Sequence, residues 1–246
     1  MQIIDYGIIV SKRLLEENSG IITVFTKENG LYGGVVKKLS NGKGSNIYQI
    51  GNLVDFTWHA RLQTHIGTAR CELIKSYSAK IIHDKLKLYL MNSVLDIISI
   101  SLKSHEKYPN LFDQVNSYLA NLSRSPISLL EYIKLELVIL SEVGYSLDLS
   151  KCAVTGSIEN LIYISPKSGK AVCEAVGENY SSQLLTLPCF LLKNLEPESI
   201  EDTKIALDLT GYFLKRYIFH NGSQPNYRAL LYEYLDLLSR ESVGIQ

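Results

Sequence analysis

Residues 53–62 read LVDFTWHARL. Val54, Phe56, Trp58, Ala60 and Leu62 are apolar, and Asp55, Thr57, His59 and Arg61 alternate with them. A period of two residues is that of a strand with one buried and one solvated face. Similar short runs lie on both sides: GIIVSKRLL, GIITVFT and LYGGVVKKL before it, GTARCELIKSY after it. They are β-branched and separated by Gly-bearing turns. Lys27-Glu28-Asn29-Gly30 suits a hairpin connection, because Gly30 accepts positive φ. Four or five short strands within residues 1–80 predict a small barrel or sandwich, since closure removes exposed edges.

From about residue 83 the period changes. His83-Asp84 can cap a helix with Leu88, Met91, Leu95, Ile98 and Leu102 on its apolar side. Pro109-Asn110 opens a second, carrying Leu111, Phe112, Val115, Tyr118, Leu119 and Leu122. Ser125-Pro126 is a start signal for a third, which Gly144 can close. Residues 150–180 interrupt with turns and a hairpin, LIYIS-PKSG-KAVC. Helix is expected over residues 181–195 with a break at Pro188, from Ser199 to about Phe219, and from Tyr227 to Arg240. The plan is therefore α+β: residues 1–80 form a β domain, and residues 81–246 form a mainly helical domain with a small β insertion.

Composition bounds the partners. The 246 residues carry no formal net charge, and the apolar and charged fractions, 46% and 20%, are ordinary for a globular chain. The charge is unevenly spread. Residues 1–80 hold ten Lys/Arg against six Asp/Glu, so the first third could meet a polyanion. The opening MQIIDYGIIVSKRLL has no basic start with a long apolar run, and no stretch of 18 apolar residues occurs. The expectation is a cytoplasmic chain with free thiols.

The candidate cations fall into groups. Lys12 and Arg13 end the first strand. Lys37, Lys38 and Lys43 lie on or beside one loop. Arg61 and Arg70 lie on the polar sides of successive strands. Together they could follow phosphates, with Tyr32 and Tyr48 offering stacking faces; the alternation places Trp58 in the core instead. The loop Asn41-Gly-Lys-Gly-Ser45 fails the phosphate-loop pattern, which needs Gly rather than Lys37 and Ser or Thr rather than Gly44. The five histidines do not cluster, and no HExxH, Gly-x-Ser-x-Gly or paired acidic motif occurs. No catalytic constellation stands out.

The cysteines pose a separate question. In KCAVTGSIENLIYISPKSGKAVCEAVGE, residues 151–178, Cys152 and Cys173 each head a turn-like tetrad. A structural zinc site takes four tetrahedral N or S ligands. Thr155 and Val176 stand where second cysteines would complete the pairs, and Cys189 could join only if its helix folded back. The expectation is two buried thiols under a hairpin packed by Ile158, Leu161, Tyr163 and Val172, with no metal.

The order of these parts resembles the RecO family of bacterial recombination mediators. The stretches that carry it are DYGIIVSKRLLEENSGIITVFTKENGLYGGVVKK, GNLVDFTWHARLQTHIGTARCEL, KLELVILSEVGYSLDLSKCAVTG and YISPKSGKAVC. The resemblance spans essentially the whole chain. It implies an N-terminal OB-fold barrel and a helical domain, with residues 150–180 as a zinc-ribbon-like hairpin lacking two of its ligands. Cys152 and Cys173 would be remnants of that motif. It further implies a non-enzymatic DNA-repair protein that binds single- and double-stranded DNA and anneals complementary strands. RecR, the acidic C-terminal tail of the single-stranded DNA-binding protein and, indirectly, RecA are the implied partners, at the nucleoid. By alignment of Lys134-Leu135-Glu136-Leu137 with an RFEL-like segment of some members, Lys134 and Leu137 would meet the acidic tail. A protein-only structural adaptor and a metal-dependent nucleic-acid enzyme are the competing classes.

Overall fold

The computed structural model describes residues 1–16, 18–37, 39, 46–62, 65–219 and 225–243. Five strands come first: β1 (Gln2–Glu16), β2 (Ser19–Thr26), β3 (Gly30–Lys37), β4 (Leu53–His59) and β5 (Gly67–Lys75). They pair in the order β1-β2-β3-β5-β4 and close into a barrel. Every pairing is antiparallel except β3 with β5. The alternation read at residues 53–62 sets the interior. Val54, Phe56 and Trp58 are fully buried and pack with Ile3, Ile9, Ile22, Val24, Tyr32, Val36 and Cys71. Removing that apolar surface from water is the main driving force for closure.

Trp58 is the centre of the barrel seam. Its indole Nε1 donates to the Gly33 carbonyl at 3.0 Å, so the one polar atom of a buried ring is satisfied. A Cβ at Gly67 would lie 2.5 Å from the indole. Glycine there is what lets the start of β5 come up against it. At the other end of the barrel Gly30 has φ of 77°, as the turn requires. The Asp5 carboxylate on β1 accepts the backbone N–H of Tyr6 and Glu28 and the Asn29 side chain, which holds that turn against β1.

The barrel belongs to a compact unit comprising residues 1–127 and 225–228. This unit includes α1 (Ser78–Ile81), α2 (Lys85–Ser101) and α3 (Pro109–Leu122). Asp84 caps α2 by accepting from the Lys87 N–H, as its sequence position suggested. Phe112 of α3 makes edge contacts with Tyr6 and Phe25 at 5.5 Å, which seals one side of the barrel.

The second unit comprises residues 128–224 and 229–246. Its first helix, α4 (Leu129–Glu142), starts later than Ser125-Pro126 suggested. Ser128 is the cap, accepting from the Glu131 N–H. A cap bonded to the third residue of the helix outweighs a nearby Pro as a start. A three-stranded sheet follows, β6 (Leu161–Ile164), β7 (Ala171–Cys173) and β8 (Leu185–Thr186), in the order β7-β6-β8. The helix expected over 181–195 is largely absent. A four-residue turn of helix, α5 (Glu174–Gly177), precedes a 3-10 stretch at Glu178–Gln183, and only α6 (Cys189–Lys193) is helical near Pro188. The long helices α7 (Ile200–Tyr217) and α8 (Asn226–Val243) close the chain. Glu136 of α4 is fully buried. The Tyr132 hydroxyl donates to it at 2.6 Å and the Thr210 hydroxyl of α7 at 2.5 Å, so a buried carboxyl joins two helices.

Candidate nucleic-acid interface

The cations named from the sequence fall into different places. On the outer surface of the barrel, register puts Arg13 beside Ile21, Ile21 beside Val35, and Val35 beside Thr68. Lys37 pairs with Ser19 one step further along β2 and β3. On β5, parallel to β3, Arg70 lies two residues past Thr68, as Lys37 lies two past Val35. Arg13, Lys37 and Arg70 are all exposed. They therefore border one outer surface over β1, β2, β3 and β5. At Gly33, on the same outer side two residues before Val35, an added Cβ would meet nothing within 4 Å, so the backbone there is open to a ligand.

Their electrostatics differ. Arg70 pairs with Glu72 at 3.0 Å, with both side chains largely in solvent. Such an exposed pair is weak and exchanges readily for another anion. Arg13 and Lys37 form no ion pair among the described residues. Lys12 is elsewhere. Adjacent strand residues point to opposite sides, and the Lys12 ammonium donates to Gln49 at 3.2 Å at the mouth of a cavity. Arg61 lies past the end of β4 and is exposed, and the β4 partner of Arg70 is Thr57. Lys38 and Lys43 lie outside the described residues.

Two expectations are corrected. Tyr32 and Tyr48 are core residues, 2% and 8% exposed, and neither offers a stacking face. Tyr32 packs edge-on against Trp58 at 5.1 Å and against His105 at 4.2 Å. Burial pushes the Tyr48 phenol above its ordinary pKa, with a small opposing effect from Arg70. What this surface offers a nucleic acid is thus phosphate contact and bare backbone.

The cysteine motif has a definite local structure. Cys152 and Cys173 are buried. The Cys152 N–H donates to Ser157 at 2.7 Å, and the Gly156 N–H returns to the Cys152 carbonyl at 2.9 Å. Ala153 N–H donates to Ala171, which brings the turn against β7. The Thr155 hydroxyl lies 3.6 Å from the Cys173 sulfur. Burial raises the pKa of the Cys152 thiol. The Thr155 hydroxyl and the backbone N–H groups of Cys173, Thr155 and Val154 outweigh it and bring the thiol down to about 6. These residues do not fit zinc. No group of three or more His, Cys, Asp or Glu side chains gathers among the described residues, and Thr155 bonds to sulfur where a ligand would stand. Leu161 and Val172 are buried and Tyr163 half-buried, but Ile158 is 75% exposed. It sits in the loop ahead of β6 and does not pack the hairpin.

On α4, the Lys134 ammonium donates to the Asn194 side chain, and Leu137 is half-buried. Asn194 closes α6 at φ of 57°, between Leu192 and Leu195, which are 39% and 55% exposed. A cation flanked by exposed leucines was not legible in the sequence, because α4 and α6 are far apart along the chain. No described helix is long and apolar enough to cross a membrane.

A closed five-stranded barrel followed by a helical unit with a small sheet defines the class as α+β. The comparisons are more specific. Residues 1–77 match the family model for the recombination protein O N terminal region, and residues 82–224 match that for its C terminal region. The DNA repair protein RecO of Rickettsia bellii strain OSU 85-389 is 47% identical over 235 residues, 96% of this chain and 97% of that protein. That of Rickettsia canadensis is 49% identical over 96% of this chain and 97% of its own length. For Rickettsia africae the identity is 48% over 95% and 98%. The chain belongs to the RecO family.

Proposed function

We propose that this chain is a non-enzymatic recombination mediator in DNA repair. The barrel, which has the strand order of an OB-fold, binds single- and double-stranded DNA through phosphates, and the protein anneals complementary strands. With RecR it helps load RecA onto DNA coated with the single-stranded DNA-binding protein, in the bacterial cytoplasm at the nucleoid. The observation that carries the DNA reading is the grouping of Arg13, Lys37 and Arg70 on one outer surface of the barrel, with the open backbone of Gly33 to one side of them. Annealing asks that two strands be concentrated with their repulsion screened, so cations suffice and no base readout is needed. The acidic tail of the single-stranded DNA-binding protein docks at Lys134 and Leu137, with the exposed Leu192 and Leu195 as its apolar contacts.

Binding through three phosphate contacts implies about a twentyfold loss of single-strand affinity between 50 and 200 mM salt. The decisive experiment mixes labelled complementary single strands with the protein, with and without chelator. Chelator-insensitive annealing without cleavage is expected. Affinity that stays flat with salt, or no DNA retention at all, leaves a protein-only adaptor. Chelator-sensitive strand cleavage makes the chain an enzyme. Lys134→Glu with unchanged tail-peptide binding eliminates the tail site.

A further inference from the structure

The segment after the barrel reads KSYSAKIIHDKLK, residues 75–87, with four lysines against one aspartate. It leaves β5 at Lys75, forms α1 with Lys80, and enters α2, where Lys87 lies in the first turn. The Lys87 ammonium donates to the Ser125 carbonyl at 2.9 Å, next to Arg124, which follows the end of α3. The Lys75 ammonium lies 4.7 Å from the centre of the Tyr77 ring. Tyr77 is buried, and its hydroxyl donates to Asn116 of α3 at 2.8 Å. A fixed aromatic side chain thus ties the end of β5 to α3, with the Lys75 ammonium over its ring.

Among the described residues none of Lys75, Lys80, Lys87 and Arg124 is ion-paired. Asp84, the one carboxylate in the run, is engaged as the cap of α2. Loss of hydration lowers the Lys75 pKa, and repulsion from Arg124 and Lys80 lowers it further. Like charges held together without a carboxylate make a ready site for a polyanion.

We propose that Lys75, Lys80, Lys87 and Arg124 form a second phosphate-binding track on this unit, which holds one nucleic-acid strand while the barrel surface at Arg13, Lys37 and Arg70 holds another. The proposal rests on the DNA reading above and extends it: one molecule presents two strands to each other. Arg70 and Lys75 are five residues apart on β5, roughly 16 Å at the rise of a strand. That exceeds the screening length of about 10 Å at 0.1 M salt, so two bound strands would repel only weakly. An acidic peptide with apolar anchors fits less well. It would need a pocket, and none of the four cations lines a cavity of about 580 Å³ in this unit, where Lys12 is the cation among the described lining residues.

The test titrates the full chain with labelled twelve-nucleotide oligothymidylate from about 0.1 M salt upward and reads stoichiometry and salt dependence. Wild type should bind two oligonucleotides. Lys80→Glu/Arg124→Glu should bind one, with the salt slope of about 2.1 in magnitude that the three barrel contacts give, and anneal on the order of tenfold more slowly. Arg13→Glu/Lys37→Glu should lose the other site. Both sets of residues are exposed, and the neutral pair Lys80→Gln/Arg124→Gln should move the readouts in the same direction. Wild type that binds one oligonucleotide, kept intact by the Lys80/Arg124 variant, overturns this inference and leaves the DNA reading standing. A Lys80/Arg124 variant that still binds two does the same, as does a ten-residue polyglutamate peptide captured at this track in place of the second strand. Wild type that binds none overturns both.

Discussion

The barrel and the Cys152–Cys173 hairpin are both small β structures, and they are held in different ways. The barrel strands run from 7 to 15 residues. They enclose an apolar interior, and each strand pairs on both edges. The strands of the hairpin sheet have four, three and two residues. Its interior is Leu161, Ile164, Ala171 and Val172 with two sulfurs. A sheet that short cannot bury enough apolar area to stand by itself. Hydrogen bonds around the Cys152 turn, together with Thr155 on the sulfurs, hold the place that four metal ligands hold in a zinc ribbon. Closure makes a β structure independent of local chemistry, whereas a short hairpin needs a local device, here made from backbone N–H groups and one hydroxyl.

The widest gap between the two should appear on removing Trp58. Trp58→Ala leaves a cavity at the seam and an unpaired Gly33 carbonyl, for an expected loss of about 3–5 kcal/mol. Urea unfolding followed by circular dichroism measures it, since the only tryptophan is lost. A loss below 1 kcal/mol would mean that closure does not depend on the indole. Asp5→Ala comes next. It frees the Tyr6 N–H of β1 and two donors at the β2–β3 turn, with an expected cost of about 1–3 kcal/mol, and faster amide exchange confined to Tyr6 and residues 26–30 would locate it.

On the hairpin side, Thr155→Val removes a sulfur donor and should cost about 1 kcal/mol while raising the Cys152 pKa. The same cradle makes a pH prediction. The folded thiol ionises at about 6 and the unfolded one near 9.0. Between these values the unfolded chain holds the extra proton, so stability rises with pH. The contribution is complete above 9 and is lost as pH falls through 6. In Cys152→Ala the urea midpoint should lose this rise, and an unchanged slope would show that the cradle does not favour thiolate. Ile158→Ser should have the smallest effect, within about 0.5 kcal/mol, because the side chain is exposed. A larger loss would place Ile158 in the hairpin core after all.

Legibility followed period. At residues 53–62 polar residues mark the outer side, so Trp58 reads as core without ambiguity. In LYGGVVK the outer positions Gly33 and Val35 carry no polar mark and only Lys37 at the end does, so the inward phase of Tyr32 is hidden. Tyr48 lies in a turn region, where no period exists to read. Ser125-Pro126 resembles a helix start, and only the hydrogen bond that the Glu131 N–H donates to the Ser128 hydroxyl moves the start three residues on. Lys75, Lys80 and Lys87 are spread over a strand end and two helices, and Arg124 joins them only through α3.

The residues by themselves determined that the first third folds as short strands with a definite inside, that helices follow, and that the cysteine pairs are incomplete. These depend on neighbours two to four positions apart, which local sequence specifies. Tertiary structure decided which cations share a surface, that Lys12 parts from Arg13 to lie at the mouth of a cavity, and that Thr155 bonds to the sulfur of Cys173. Those relations join residues far apart in the chain. They are set by strand register and helix packing, where a shift of one residue would send each side chain to the opposite face.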